Sequence, residues 1–532
     1  MQDVILADKP AGISTHSPVE GDPSFGFAEH LEARLGRKVW VCHRLDKDTF
    51  GTIVFATSKQ AAAKVSQAFE EGRVKKTYVF VSHRIPRTKG FTVESYITKQ
   101  QGKFVSFEPR GDQTANAVTH FKLLKEQDGY TLWEARPDTG KPHQIRLHAQ
   151  SAGIPVLGDK EHGGASFHTL MLQSSTLEAE IDGEKLSHTT PLSRLFGTLD
   201  LLKNKQLMKW LIAIDRRERY MRSFPDFGDT IRLIHTDGGK LRVEQLGEVI
   251  SLQWFANEGE DLDEQDRLDV DGLIEIMGWK NWRLQIRWDR GKSPNENPEE
   301  TSEPPPPVAW NAKEGVAAYE FRRDVSLSTG LFLDQRNNRR YIHSQAKDKK
   351  VLNLFCYTGG FSVMAALGGA AQTTSVDISK NFLEWTKRNF ELNKISIASE
   401  DKASAQHSFY SMDAREFLNW AAKKGLTYDL IICDPPSFGR TKDSVFKIEK
   451  DIDELMFAAV RALAPGGVLL FSTNYEKWTN DSFMKVVKNL IREKRFPVIY
   501  GQPPTQDLDF EMPGEASILK SVLLSRSTPA QT

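Results

Sequence analysis

Apolar and polar positions change rhythm twice along the chain. Up to about residue 195 short runs alternate, as in Lys76-Thr-Tyr-Val-Phe-Val81 and Tyr130-Thr-Leu-Trp-Glu-Ala135, which predicts strands and few helices. Leu199, Leu202, Leu207, Trp210, Leu211 and Ile214 then recur at helical spacing, with basic residues gathering at the end, and predict a connector helix from Phe196 to Met221. Strand patterns return in Thr230-Ile-Arg-Leu-Ile-His235 and Val249-Ile-Ser-Leu-Gln-Trp254. Ser293 to Pro307, rich in Asn and Glu and ending in four prolines, cannot bury a core and predicts a mobile insertion over 293–310. After about residue 320, strands and helices alternate through Lys350 to Phe355, Phe361 to Leu367, Thr373 to Asp377, Lys380 to Leu392, Leu430 to Cys433, Lys447 to Leu463 and Gly467 to Phe471. That order predicts a mostly parallel, doubly wound sheet. Three units follow: 1–195, 196–320 with its small β-rich module, and 321–532.

Composition changes this picture little. The 71 basic and 71 acidic residues balance, which argues mildly against indiscriminate polyanion binding. Local strips such as Lys75-Lys76, Arg216-Arg217-Glu218-Arg219 with Arg222, and Arg336 with Arg339-Arg340 can still supply phosphate contacts, although such strips are more often solvated helix faces. Cys42, Cys356 and Cys433 lie too far apart for a disulfide framework or a zinc site, so no metal is expected. The N-terminal stretch lacks an apolar run of signal length, and Leu352 to Ala371 is too interrupted by polar residues and glycines to span a bilayer. A cytoplasmic protein with no membrane partner is expected.

Chemistry concentrates in two places. Thr358-Gly359-Gly360 falls at the turn from the first strand of the α/β unit into its helix, where a ligand approaches backbone N–H groups closely. Asp377, closing the next strand, is positioned to accept from ribose hydroxyls, and Asp413, after the third, from an adenine amino group. These features alone also suit a dinucleotide enzyme, but G-x-G-x-x-G is absent and Asp434-Pro-Pro-Ser-Phe438 closes the fourth strand. Two prolines stiffen the backbone beside that acid, and Phe438 offers a face for a planar base.

With Ser328-Thr-Gly-Leu-Phe-Leu-Asp-Gln-Arg336, Phe382-Leu-Glu-Trp385, Arg388-Asn389 and Asn393, this half resembles the RlmK and RlmI group of large-subunit rRNA methyltransferases. The resemblance implies a Rossmann-like class I domain using S-adenosylmethionine, Asp434 at the reaction centre, and Phe438 and Arg336 on the RNA. Methylating cytosine at carbon needs a reactive thiolate after the fourth or fifth strand, and neither place has a cysteine; a nitrogen nucleophile needs only alignment and acceptors. Ser472-Thr-Asn474 and Gln506-Asp507 are similar to the RlmK branch, which implies guanine N7 as target, with exocyclic N2 next.

Near the N-terminus, Asp8-Lys-Pro-Ala-Gly12, His43-Arg-Leu-Asp-Lys-Asp-Thr-Phe-Gly51, Val74-Lys-Lys-Thr-Tyr78, Thr139-Gly-Lys-Pro-His-Gln-Ile-Arg146 and Gly158-Asp159 in that order resemble RluA-type pseudouridine synthases. The resemblance implies an α+β domain with a mainly antiparallel sheet that needs no cofactor and takes an extruded uridine. Asp46 is then the catalytic carboxylate, paired with Arg146. Tyr78 stacks on the base, Arg44 fills the vacated stack or binds phosphate, and Lys141 meets RNA. Phe50 stands where a small residue is usual and is expected to crowd the pocket rim, while Lys141 with Pro142 replaces Arg-Thr and loses a bidentate phosphate fork. No S4-like domain precedes Met1, so target choice is expected from the catalytic faces or the other half.

The expected protein is a bifunctional enzyme acting on RNA, first of all 23S-type rRNA and not DNA. Its rivals are cytosine C5 transfer in the second half, one active half beside a binding platform, an assembly factor that holds RNA without turnover, and a small-molecule methyltransferase.

Overall fold

The structure, a computed structural model, describes residues 3–17, 26–86, 88–197, 199–224, 226–257, 259–288, 299–325, 329–397, 406–440, 445–510 and 518–527. Residues 293–298 of the expected insertion lie outside them.

The first unit is built on a ten-stranded sheet running, on its main path, Val4–Lys9, Phe50–Ala56, Leu172–Ile181, Lys75–Ser82, Tyr130–Pro137, Ala117–Gln127, Gly90–Gln100 and Lys103–Phe107. Phe50–Ala56 pairs with Leu172–Ile181 in parallel and the other pairs are antiparallel, the mainly antiparallel α+β arrangement that the resemblance implies. Gly51 is where those two strands meet. Its φ is +109° and a Cβ there would stand 2.1 Å from the Ser174 carbonyl oxygen, so a side chain is excluded by both conformation and space.

Residues 230–301 form a five-stranded sheet in which Val249–Ala256 and Trp282–Trp288 run parallel, joined by the helix Glu264–Met277. The expectation of a mobile insertion over 293–310 is corrected for its second half. Glu299–Thr301 adds to the sheet edge opposite Gln285 to Arg283, and the buried Ser302 hydroxyl donates to the Pro304 carbonyl. Polar composition misled there because edge pairing satisfies backbone groups without an apolar side-chain pattern.

The boundary at 320/321 also moves. It cuts the hairpin Ala309–Glu314/Ala317–Arg322, whose Trp310, Tyr319 and Phe321 share a core with Leu331, Val363 and Phe390 of the third unit. Asn393 and Asn389, one helical turn apart, donate to and accept from backbone groups of Ala318 and accept from Glu320 N–H, while Arg388 pairs with the Glu320 carboxylate at 2.9 Å. The Arg-Asn…Asn pattern is thus the clamp that holds the hairpin.

The third unit has a seven-stranded sheet ordered His407–Ser411, Gln372–Asp377, Lys350–Leu354, Tyr428–Cys433, Leu463–Thr473, Lys520–Arg526 and Val498–Gly501. Its first four pairings are parallel and the last two antiparallel. This is a doubly wound sheet with the order reversing beside Lys350–Leu354, the place where such folds bind ligands.

The connector helix Lys205–Arg222 is no free-standing linker. Leu207, Met208, Trp210, Leu211, Ile212, Ala213 and Ile214 are all buried, and one apolar cluster runs from Ile53 and Met171 through this helix to Ile231, Leu284 and Leu508. A helix whose apolar run is buried from Leu207 to Ile214 save for exposed Lys209 belongs largely inside a core. The basic strips at Arg216–Arg222 and Arg336–Arg340 are therefore corrected as solvent-facing RNA contacts. Arg217, Arg219, Arg336 and Arg339 are fully buried and joined to acids: Arg219 to Asp8 and Asp215, Arg217 to Asp237, Arg336 to Asp507 and Asp509, and Arg339 to Glu314. Among the described residues no helix is long and apolar enough to cross a membrane.

Candidate active sites

In the first unit Asp46 sits on the loop before Phe50–Ala56, and Arg146 in the first turn of the helix Gln144–Ser151. Arg146 Nη1 donates to Asp46 Oδ2 at 3.2 Å across 100 residues of sequence. The same guanidinium forks onto Asp159 at 2.7 and 2.8 Å and reaches Glu161 at 2.7 Å. Burial works against its charge, but Asp159, with Asp46 and Glu161, outweighs burial and holds Arg146 above its ordinary value. Asp159 is in turn held low by Arg146 despite its own burial. Arg146 is thus fixed before it meets Asp46, and Asp46 keeps a half-exposed face for a substrate.

Tyr78, half-buried on Lys75–Ser82, lies close enough to Asp46 that burial and this charge both push its phenol up. Arg44 and Lys141 are exposed, Lys141 at the turn entering the Arg146 helix, where its backbone N–H donates to Gln144 Oε1. His43 is structural: its Nε2 accepts from Val54 N–H, the ring stacks on Phe69, and burial drives its pKa down to about 3.

Phe50 does not crowd the rim. It is 1% exposed, stacks on Phe196 and lies under the Arg219 guanidinium at 4.5 Å, so the connector helix covers it. Sequence reasoning also missed Lys9, whose buried ammonium donates to the carbonyls of Pro10, Ile13 and Lys47 at 3.1, 2.7 and 2.9 Å. Thr15 adds a reciprocal pair with Leu45, so the Asp8-Lys-Pro-Ala-Gly12 segment clamps the Asp46 loop from both sides. Among the described residues, His143, Glu161 and His162 are grouped closely enough to suggest a metal, but the two rings bond each other at 3.0 Å and Glu161 is engaged by Arg146.

In the third unit a cavity of about 770 Å³ opens at the reversal point of the sheet. Thr358, Gly360, Asp377, Asp413, Asp434 and Phe438 all line it, with Gly359 as the left-handed residue just before the helix Gly360–Leu367. The glycines serve packing as much as ligand approach: a Cβ on Gly359 would meet Thr386 at 2.3 Å, and one on Gly360 would meet Leu331 at 2.8 Å. Asp377 accepts from Tyr357 and Ser379 N–H, both at 2.9 Å, which aims its carboxylate into the cavity, and burial raises its pKa against those bonds. Asp413 caps the helix Ala414–Lys423 through Oδ1 while still facing the cavity.

Asp434 accepts from the Ser472 hydroxyl at 2.8 Å, Ser472 accepts from Gln335 at 3.0 Å, and Gln335 from Asn338 at 2.7 Å. Burial pushes Asp434 up to about 6; the Ser472 bond opposes this and nearby Asp334 adds to it. Phe438 is 57% exposed at the mouth. Arg336 does not belong to this site. At 1% exposure it is spent on Asp507 and Asp509, and its place in the sequence motif reflects structure, not RNA contact. Asp334, Gln335 and Asn474 also line the cavity and were signalled only as parts of motifs. Carboxylates for ribose and amino donors, an exposed Ile378 for a ring face and volume for two groups fit a nucleoside cofactor beside a base.

Residues 3–151 match the RNA pseudouridylate synthase family model, and residues 284–504 that of S-adenosylmethionine-dependent methyltransferases. The chain therefore joins a domain of each type. Among curated relatives, ribosomal RNA large subunit methyltransferase K/L of Hahella chejuensis is 46% identical over 158 residues, 29% of this chain and 20% of that protein. Ribosomal RNA large subunit methyltransferase K of Neisseria meningitidis serogroup B is 42% identical over 163 residues, 30% of this chain and 44% of that protein. The chain thus spans less than half the length of either relative. A solved Streptococcus mutans chain assigned to the SAM-dependent methyltransferases shares the fold, at TM-score 0.51 and 24% identity over 66% of this chain and 87% of that one.

Proposed function

We propose that this protein modifies large-subunit rRNA twice, isomerising a uridine to pseudouridine at Asp46 and methylating a guanine nitrogen, N7 before N2, in the cavity that Asp434 lines. The observation that carries the reading is that two separated motif sets each converge: Asp46 on Arg146 at 3.2 Å, and Asp434 on the cavity of the glycine turn.

At the first site Arg146, bonded to Asp46 at 3.2 Å, orients that carboxyl toward an extruded uridine stacked on Tyr78. No cofactor is assigned there. At the second, S-adenosylmethionine when bound supplies the methyl group. Asp377 and Asp413 hold its ribose and adenine, and Phe438 stacks on the acceptor base. Asp434 and Asn474 accept from that base, which needs only alignment and compensation of developing charge.

Cytosine C5 transfer finds little support. Cys433 is fully buried in its strand, and although Cys356 lines the cavity, burial pushes both thiols well up, so neither readily supplies a thiolate.

Mapping pseudouridine and methylguanine in the rRNA of a strain lacking this protein tests the reading. One site of each kind should vanish and return on complementation; loss of neither overturns it.

A further inference from the structure

Asp334 has no part in the scheme above, yet it opens into the same cavity as Asp434. It lies in the 3-10 turn Leu333–Gln335, directly before the Gln335 that begins the relay to Ser472 and Asp434. Its backbone carbonyl accepts from Gln506, which fixes the turn. Its carboxylate makes no ion pair and accepts no side-chain hydrogen bond from any described residue. Burial and the Glu244 charge press against its ionisation, while Arg232 and Arg339 act from a distance in its favour. The two acids also repel each other.

By contrast the buried acids Asp8, Asp507, Asp509 and Glu314 are each met by an arginine, and Asp269 by the amides of Asn204 and Gln265. The cavity thus keeps two acceptors that the protein itself leaves short of donors. A carboxylate only accepts, so the matching ligand edge must only donate at that point. Guanine alone among the four bases has a ring N–H and an exocyclic amino group side by side on its Watson–Crick edge. Adenine and cytosine put an acceptor next to the amino group, and uracil has a single donor between two acceptors.

We propose that Asp334 is a specificity residue that, with Asp434, reads the N1–H and N2 amino edge of guanine. This rests on the methyltransferase reading of the cavity. Adenine and cytosine are rejected because each would set a lone pair against a carboxylate.

The test uses the full-length protein with S-adenosylhomocysteine by calorimetry, then GMP and IMP at saturating S-adenosylhomocysteine by saturation-transfer NMR. IMP keeps the ring N–H and lacks the amino group. Wild type should prefer GMP over IMP by about tenfold, the discrimination of one well-placed base-edge contact. Asp334→Asn should erase that preference while S-adenosylhomocysteine affinity stays unchanged, which a merely structural role for Asp334 would not produce. A wild-type protein indifferent between GMP and IMP overturns the proposal whether or not the variant folds. So does an Asp334→Asn protein that retains the preference. Absence of S-adenosylhomocysteine binding by wild type instead brings down the cofactor reading, and this proposal with it.

Discussion

Asp46 and Asp434 are both half-buried motif acids, but they have opposite kinds of neighbour. Asp46 faces a guanidinium already locked by Asp159 and Glu161, so its partner is in place before any substrate arrives. Asp434 has a hydroxyl and a second carboxylate for neighbours, and burial lifts it to about 6. The first arrangement suits a carboxyl whose orientation the protein itself sets through Arg146. The second suits an acceptor whose partners come with the ligand. Local charge balance, more than residue identity, separates the two chemistries.

The strongest way to break this contrast is to remove each acid. Asp46→Ala should abolish pseudouridine and spare methylation, and Asp434→Ala the reverse, each by roughly a thousandfold or more as expected for an essential group. Single-turnover assays on rRNA fragments check this, and a variant that keeps its own modification ends the assignment for that half.

The next effect is on the body that carries both sites. Asp8→Ala takes one of two acids, 2.6 Å away, from the buried Arg219, which keeps Asp215 at 2.7 Å, and should cost about 1.5–3 kcal/mol. Urea unfolding followed by tryptophan fluorescence measures the loss, and a change below 1 kcal/mol would show that the units do not depend on this pair.

A pH series sharpens the contrast further. Asp434 is raised above the ordinary carboxylate value, so below about 6 it takes up a proton, loses its charge and turns one of its two acceptor oxygens into a donor. Methylation should therefore fall as pH drops through 6, by roughly tenfold per unit further down, and Asp434→Asn should flatten that limb. Asp334 and Arg339 face the same acid and tune the midpoint in opposite directions.

The smallest change is at the mouth. Phe438→Ala removes an exposed stacking face and should weaken RNA binding by about 1 kcal/mol, read as a raised KM with kcat little altered. A pure kcat effect would place Phe438 nearer the reacting atoms.

Much of this was legible in the residues. The helix Lys380–Leu392 has the bounds its pattern predicts, because apolar spacing and a Ser379 cap agree. Ordered motifs also identified Asp46 with Arg146, and Asp434 with the glycine turn. What stayed hidden depends on tertiary pairing. A run of arginines reads as a solvated strip until the fold brings up Asp237 from 20 residues away, Asp507 and Asp509 from 171 and 173, and Asp8 from 211. Phe50 reads as an obstruction until Phe196 and Arg219 are seen to cover it. Lys9 reads as part of a motif, and only geometry shows three carbonyls around its ammonium.

Asp507 accepts from Tyr220 of the connector helix and pairs with Arg34 of the first unit and Arg336 of the third. A single side chain thus works as a keystone for three pieces of chain. On the proposed reading, two sites assembled this way form a caliper of one fixed opening, and an RNA substrate would have to offer both targets at that gauge or surrender them in separate encounters.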